Sequence, residues 1–195
     1  MKCLLINILV FVIAVNSDTT SKPLFLPQLP VGEYKINVLA LLRCGSSNDR
    51  FKFNYYLSKL SINTTELKGN VTYYEPLDDS YTVEANLAVK DSVGGWKDNA
   101  HIFKTPKACS SLKTLAGKFW TPITEKLGMH NVKNCPIPAG CYVTSGVKHD
   151  NDFFGNLPKQ FFYGTYKFRF QLTKNKVVYG CAVSVVEVKR PWEND

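Results

Sequence analysis

Apolar and polar residues alternate along most of this chain, which is the pattern of β-strands that bury one face and expose the other. Residues 81–89 and 166–172 show it most clearly, because every second side chain in them is aromatic or aliphatic. Residues 34–44 and 51–57 repeat the pattern. Strands with one apolar and one polar face are typical of antiparallel sheets. The pattern therefore predicts an antiparallel, mainly β protein.

Three local signals refine the predicted sheet. The alternation changes phase at Leu60, which predicts a β-bulge. Residues 173–176 predict a tight hairpin, because the asparagine in Thr-Lys-Asn-Lys tolerates a positive φ. Residues 177–188 are apolar on both faces, so this last strand should lie in the middle of the sheet.

One segment has the spacing of a helix instead. Thr105 is a suitable N-cap, Pro106 suits the first helical position, and Pro122 marks the predicted end. The apolar stripe between them consists of Ala108, Leu112, Leu115, Ala116 and Phe119. About eight antiparallel strands and one short helix predict a two-sheet sandwich or cup. A single domain over residues 31–190 accommodates all of these elements.

The N-terminus predicts export. Lys2 is followed by thirteen mostly apolar residues that end at Val15, and Val15 and Ser17 suit the −3 and −1 positions of a cleavage site. This stretch is shorter than the roughly 20 residues of a membrane-spanning helix. We therefore expect a signal peptide over residues 1–17, a flexible lead-in over residues 18–30, and a secreted, extracellular product.

Five cysteines remain after the predicted cleavage, namely Cys44, Cys109, Cys135, Cys141 and Cys181. In an oxidising compartment most of them should be bridged. Because their number is odd, one is free or pairs with another chain. Asn63 and Asn70 begin Asn-X-Thr sequons and are predicted glycosylation sites, with Asn70 on the polar side of its strand.

The chain lacks the residue constellations of common enzymes. The three histidines, His101, His130 and His149, are scattered and show no metal-ligand spacing. The sequence contains no Gly-X-Ser-X-Gly elbow. Cys141 lies in a Pro-Gly corner, where a structural or unpaired role is favoured over that of a nucleophile. We therefore expect a protein that is not an enzyme and that uses no cofactor and no metal.

The net charge of +8 at pH 7 permits two interpretations. Nucleic acid is not an expected partner, because export is predicted and the chain has no run of lysine or arginine. Lys167 and Arg169 occupy polar positions of a strand, so a solvated sheet face accounts for much of the charge. The alternative is attraction to an anionic membrane surface, which is worth about 1 kcal/mol per well-placed cation.

The most specific motif runs from Cys135 to Tyr142 and reads Cys-Pro-Ile-Pro-Ala-Gly-Cys-Tyr. Its two prolines and one glycine exclude a helix or a central strand, so it predicts a rigid, extended corner. The residues that extend the motif are Cys109, Leu112, Trp120, the Gly-Thr-Tyr-Lys run at 164–167, and Gly180 with Cys181.

This set of residues resembles a secreted arthropod family that includes the CheB-type chemosensory proteins. That family is related to the ganglioside activator protein and, more distantly, to the ML lipid-recognition domains. The resemblance covers residues 31–188. It implies a ganglioside-activator-like fold, in broad class an immunoglobulin-like β-sandwich, whose two sheets form a cup for lipid acyl chains.

The disulfides are predicted with the help of this resemblance. The activator protein ties its first strand to its last, which supports a Cys44–Cys181 bridge here. A Cys109–Cys135 bridge would attach the helix to the proline-rich corner. Cys141 would then be the unpaired cysteine.

The inward positions of the predicted strands are rich in aromatic residues. A closed sandwich core accounts for such rings in most β-proteins. Two splayed sheets lined by rings would instead leave a cavity for an apolar ligand with a polar head, and the resemblance favours this second interpretation. The predicted cavity residues, which share a strand phase, are Phe53, Tyr55, Tyr81, Phe168 and Phe170.

Three apolar residues in loop-like stretches predict a rim. Phe153 and Phe154 lie in a polar stretch rich in structure-breaking residues, and Trp96 follows two glycines. Each could cap the edge of the core. Alternatively, they form a hydrophobic rim that touches a membrane or borders the entrance to the cavity.

Together, these features predict a secreted, non-enzymatic binder of a lipid or another hydrophobic small molecule. Such a protein would carry or present a lipid, or bind a chemosensory ligand. A protein of another class remains the alternative: an extracellular interaction module with a closed core, such as a receptor accessory factor or a venom or salivary component, whose partner is a receptor or another extracellular protein.

Overall fold

The computed structural model describes most of the predicted domain, namely residues 30–45, 48–61, 64–148 and 156–193. Several predictions fall outside these ranges. They are the signal peptide (1–17), residues 18–29 of the lead-in, Asn63, His149, Phe153 and Phe154.

Within the described residues the chain forms ten strands and one helical region. The strands are β1 (Val31–Gly32), β2 (Lys35–Leu42), β3 (Phe51–Ser61), β4 (Thr64–Tyr73), β5 (Thr82–Lys90), β6 (Trp96–Pro106), β7 (Gly140–Lys148), β8 (Phe161–Phe162), β9 (Gly164–Lys174) and β10 (Val177–Lys189). The helical region comprises α1 (Ala108–Ala116), a 3₁₀ turn (Gly117–Phe119) and α2 (Trp120–Lys126).

The strands form two sheets, and the mainly β prediction is confirmed. A small sheet pairs β1 with β8. The large sheet has the strand order β6-β5-β9-β10-β3-β4-β7, and β2 also pairs with β10. We call β6, β5, β9, β10 and β2 the first half of the large sheet, and β3, β4 and β7 the second half.

The two halves are joined at one point along β10. Strand β3 pairs with β10 in parallel, through the single register pair Gly180 and Phe51. The other registered strand pairs of the described chain are antiparallel. Because β10 pairs with β9 on one side and with β2 and β3 on the other, the last strand is central, as its two apolar faces predict.

Two smaller predictions are confirmed by the register. The β3–β4 pairing shifts between Lys59 and Ser61, next to the predicted bulge at Leu60. The β9–β10 hairpin turns through Asn175 and Lys176, which have φ values of 52° and 66°.

The helix boundaries differ from the predicted ones. Pro106 is the last residue of β6, and α1 begins at Ala108 after Lys107, which has a left-handed φ of 55°. Asp79 takes the capping role predicted for Thr105, because its carboxylate accepts hydrogen bonds from the Ser110 N–H (2.8 Å) and the Ser110 hydroxyl (2.6 Å).

The predicted end of the helix at Pro122 is wrong. Pro122 lies in the first turn of α2, where a proline is tolerated because the missing N–H has no helical partner. The break occurs earlier, at Gly117, whose φ of 56° interrupts the α-helical geometry.

The two disulfides are the predicted pairs, Cys44–Cys181 and Cys109–Cys135, and Cys141 is free and exposed. Their sequence separations are 137 and 26 residues, for which the loop-entropy model gives about 5 and about 3.5 kcal/mol of stabilisation. The corner next to Cys135 is held further by Ile137, which exchanges two backbone hydrogen bonds with Leu77 (2.9 and 3.0 Å).

Two apolar clusters form the core. The larger one is built around Phe51, Leu172 and Trp120 and includes the buried side of the helical region. The smaller one, Leu87, Tyr166 and Val188, packs against Phe161 of the small sheet. The helical region therefore covers one end of the large sheet, and the small sheet packs near the other end of its first half.

The junction of the two halves depends on the absence of a side chain at Gly180. A Cβ built there would lie 2.6 Å from the Phe51 Cβ and 2.9 Å from the Phe51 carbonyl oxygen. Any other residue at this position would push β3 away from β10.

We expect Gly180→Ala to lower the free energy of unfolding by about 1–3 kcal/mol, because the added methyl overpacks this contact. Urea denaturation of the secreted protein measures the loss. Ser184→Ala, on the same strand and the same face, is the matched control and should stay within about 0.5 kcal/mol. Equal losses in the two variants would contradict the role of the junction.

Candidate functional site

The register brings many apolar side chains of both halves onto one continuous face, which we call the inner face. The first half contributes three rows of paired residues: Thr105, Val83, Leu172 and Gly180; then Phe103, Ala85, Phe170 and Ala182; then His101, Leu87, Phe168, Ser184 and Leu41. The second half contributes four: Phe51, Tyr73 and Gly140; Phe53, Val71 and Tyr142; Tyr55, Gly69 and Thr144; and Leu57, Leu67 and Val147.

Acidic and basic residues are kept to the border of the inner face, where the row beyond those of the first half ends at Lys97 on β6. None of its seven rows contains aspartate, glutamate, lysine or arginine. Charged side chains occupy the opposite face of the same strands, as in the pair of Lys104 and Glu84 (2.6 Å) and at Lys167 and Arg169. The inner face therefore offers mainly apolar contacts, together with a few hydroxyl groups and the imidazole of His101.

Burial varies along the inner face, since Leu87 and Val147, far from the helical region, are only 8 % and 3 % exposed. Phe51 and Leu172 are fully buried, Phe53 and Phe170 are half-buried, and Phe103 on the edge strand β6 is 51 % exposed. An apolar face that is buried at one end and open at its edge can accept further apolar atoms.

Small residues accompany the rings in the middle of the first half. Phe170 lies between Ala85 and Ala182, and Phe168 has Ser184 on one side. Small neighbours leave the flanks of large rings uncovered by side chains of the same sheet. This arrangement provides edges and faces of rings for contact with a bound chain.

The structure divides the five predicted cavity residues between the two clusters. Phe53, Tyr55, Tyr81 and Phe170 belong to the larger cluster, and the rings of Phe53 and Phe170 meet edge to face across the junction at 6.0 Å. Phe168 packs with the smaller cluster. Their participation in one shared cavity stays a prediction.

A separate surface cavity of about 330 Å³ lies beside the proline-rich corner. It is lined by His130, Asn131, Val132, Lys133, Asn134, Pro136, Pro138 and Tyr142. None of the five predicted cavity residues contributes to it, although Tyr142, which belongs to the inner face, forms part of its wall.

Most tyrosine hydroxyls near the inner face donate to a defined acceptor. Tyr142 donates to the Pro138 carbonyl (2.7 Å), Tyr166 to the Phe162 carbonyl (3.1 Å) and Tyr81 to the Glu75 carboxylate (2.8 Å). The hydroxyls of Tyr55 and Tyr73 have no hydrogen-bond partner among the described residues. Burial raises the pKa of both phenols, so both stay neutral at physiological pH.

The turn between β5 and β6 displays two apolar side chains. Val93 is 90 % exposed and Trp96 is 36 % exposed, with the Lys167 ammonium 5.1 Å from the centre of a Trp96 ring. The Asp91 carboxylate accepts hydrogen bonds from the N–H groups of Val93 (3.0 Å) and Gly95 (2.7 Å). The turn is thus held in a shape that keeps Val93 away from the core.

Sequence reasoning missed Phe103 and Val93. Residues 96–106 do not alternate cleanly, so no strand was predicted for them. The signal that could have found both is the pair Gly94 and Gly95, which is typical of a hairpin turn after the strand 81–89. A hairpin there would have paired the strand 81–89 with residues 96–106 and placed Val93 at the tip, although the observed pairing of Phe103 with Ala85 also depends on the register shift between Leu87 and Val89.

The remaining predicted site residues lie apart from the inner face. Asn70 is on the opposite face of β4, where its side-chain oxygen accepts a hydrogen bond from Asn54 (3.2 Å). Cys141 pairs in register with Thr72, also on that face. In the described ranges, no group of three or more histidine, cysteine or acidic residues is placed to hold a metal ion.

The chain matches no protein-family model, and no curated protein matches it. The family resemblance therefore rests on the motif around Cys135 and its flanking residues alone. Among the described residues, none of the helices combines the length and the apolar character needed to cross a bilayer.

We expect Phe51→Ala to cost about 3–5 kcal/mol of stability, because it removes a fully buried ring, and Phe168→Ala to cost less than about 2 kcal/mol. Both changes delete the same atoms, so the difference reports how tightly each ring is packed. Chemical denaturation of the two variants measures it. Equal, large losses would favour a closed core.

Proposed function

We propose that this protein is a secreted, non-enzymatic binder of a lipid or another apolar small molecule, and that the ligand lies along the inner face. The observation that carries the proposal is a set of seven rows without aspartate, glutamate, lysine or arginine, in which the rings of Phe53, Phe168 and Phe170 are only half-buried and Phe103 is exposed at the edge. In this proposal the two halves of the large sheet form the walls of a cup, and the helical region closes one end.

The energetics of such a face suit an alkyl chain. Each methylene moved from water onto an apolar surface contributes about 0.8 kcal/mol, so a long chain binds well without specific contacts. The half-buried rings of Phe53, Phe168 and Phe170 supply that surface. The two disulfides are compatible with an oxidising, extracellular compartment.

The directions of the strands support the proposal that one end of the large sheet contacts a membrane. β5 and β10 are both antiparallel to β9, and β3 is parallel to β10. The β5–β6 and β3–β4 turns therefore lie at the same end of the sheet, opposite α1. This end presents Val93 and Trp96 together with Leu60, which is also exposed.

Lysine side chains lie close to the exposed apolar residues of the β5–β6 turn. Lys90 and Lys97 flank the β5–β6 turn, and Lys167 lies over Trp96. Lysines beside exposed apolar residues favour an anionic lipid surface, since each well-placed cation adds about 1 kcal/mol. We propose that this end contacts the membrane from which the ligand enters.

The alternative function, an interaction module with a closed core, is favoured by one observation. The rings of Phe53 and Phe170 contact each other across the junction, as they would in a filled core. In that case the exposed residues at the turns would meet a protein partner, and no ligand would be retained.

Native mass spectrometry of protein secreted from cells separates the two functions. We expect a population with added mass that disappears after solvent extraction, and a fatty compound in the extract. Refolded, lipid-free protein incubated with the extract should regain the mass. A homogeneous, ligand-free protein that takes up nothing would favour the interaction module.

We expect the double change Val93→Ser and Trp96→Ser to weaken binding to anionic vesicles by about tenfold or more, because it removes two side chains worth about 1.5–3 kcal/mol each on burial. Vesicle co-sedimentation measures the partition. Val177→Ser is the matched control, since Val177 is exposed in the hairpin at the opposite end of the sheet. Equal effects of the two changes would contradict a membrane-facing end.

A further inference from the structure

The residue types on the inner face constrain the ligand that it can hold. An ionised carboxylate or phosphate buried without a cation and without hydrogen bonds is strongly disfavoured. The seven rows supply no lysine or arginine. His101 lies among the rings of Phe161, Phe162 and Tyr166 at the far end of the first half.

Two hydroxyl groups on the second half lack a partner. Tyr73 is only 7 % exposed, and neither its hydroxyl nor that of Tyr55 forms a hydrogen bond within the described chain. The proximity of Tyr55 and of Tyr142 further disfavours ionisation of Tyr73. Neither hydroxyl is among the buried polar atoms that lack a partner in the described chain, so both are open to water; a bound molecule that displaced this water would have to supply an acceptor oxygen in its place.

The same cluster contains a third donor. The Trp120 Nε1–H is buried and unpaired in the described structure, and Trp120 belongs to the cluster that contains Tyr55 and Tyr73. An indole N–H can only donate, and a neutral phenol can donate as well. The complementary group on a ligand is therefore an acceptor, such as a carbonyl, ester or ether oxygen.

We propose that the inner face selects a neutral long-chain molecule that carries an acceptor oxygen, such as an ester or a ketone, over an ionised fatty acid or an anionic phospholipid. The hydroxyls of Tyr55 and Tyr73 donate to that oxygen, and the alkyl chain lies along the rings of Phe53 and Phe170. This inference rests on the proposed function of the inner face.

The test compares three ligands that share one alkyl chain: dodecane, methyl dodecanoate and dodecanoic acid. Each is delivered from cyclodextrin to lipid-free protein, and binding is measured by displacement of a neutral naphthylamine dye. Near pH 7 we expect the ester to bind at least about tenfold more tightly than the acid, which is ionised. Below the carboxyl pKa the acid is neutral, and the difference should largely vanish.

Single tyrosine-to-phenylalanine substitutions test which hydroxyl groups donate to the acceptor oxygen of the ligand. Tyr55→Phe and Tyr73→Phe each remove one donor and should weaken ester binding by about 3- to 10-fold, while dodecane binding stays unchanged. Tyr56→Phe is the matched control, because Tyr56 is exposed on the opposite face of the same strand. It should change the binding of neither ligand.

Three results would overturn the inference. The first is an acid that binds as tightly as the ester near pH 7. The second is an equal loss of dodecane and ester binding in Tyr55→Phe, which would indicate altered packing. If dodecane binds in either case, the proposed function survives and only the selectivity fails. The third, binding of none of the three ligands, would overturn the proposed function as well.

Discussion

The close approach of β3 to β10 at Gly180 is the contact on which the rest of the architecture depends. A single register pair joins the two halves of the large sheet, and it requires a residue without a side chain. The next residue, Cys181, is bridged to Cys44 just after β2. The contact between Phe53 and Phe170 exists only because this junction brings β3 and β10 together.

The helical end provides the second constraint. The Cys109–Cys135 bridge and the hydrogen bonds between Leu77 and Ile137 attach α1 and the proline-rich corner to the sheet. This packing buries Phe51 and Leu172 completely. Phe53, Phe168 and Phe170 are only half-buried and Phe103 at the edge is exposed, which distinguishes the inner face from a uniformly filled core. The unpaired hydroxyls of Tyr55 and Tyr73 lie on the same face.

Much of the fold was predictable from local patterns. Strict alternation identified β5 and β9, because a half-buried strand must place every second side chain in the core. The apolar character of both faces of residues 177–188 identified the central strand. Strand β6 escaped prediction because an exposed edge strand has no buried partner on one side, so its sequence is free to depart from alternation. The helix start was misplaced because its cap comes from Asp79, far away in the sequence.

The sequence by itself determined most of the long strands, the β9–β10 hairpin and inward positions rich in aromatic residues, since these follow from which side chains can leave water. With the family resemblance, it also indicated the pairing of four cysteines. The tertiary structure alone decided how the strands are ordered, which rings lie beside the junction and which stay half-exposed at the edge. It also decided that Tyr55 and Tyr73 find no acceptor among the residues that the structure describes, because a hydroxyl's partner depends on which strands become neighbours and alternation does not encode that choice.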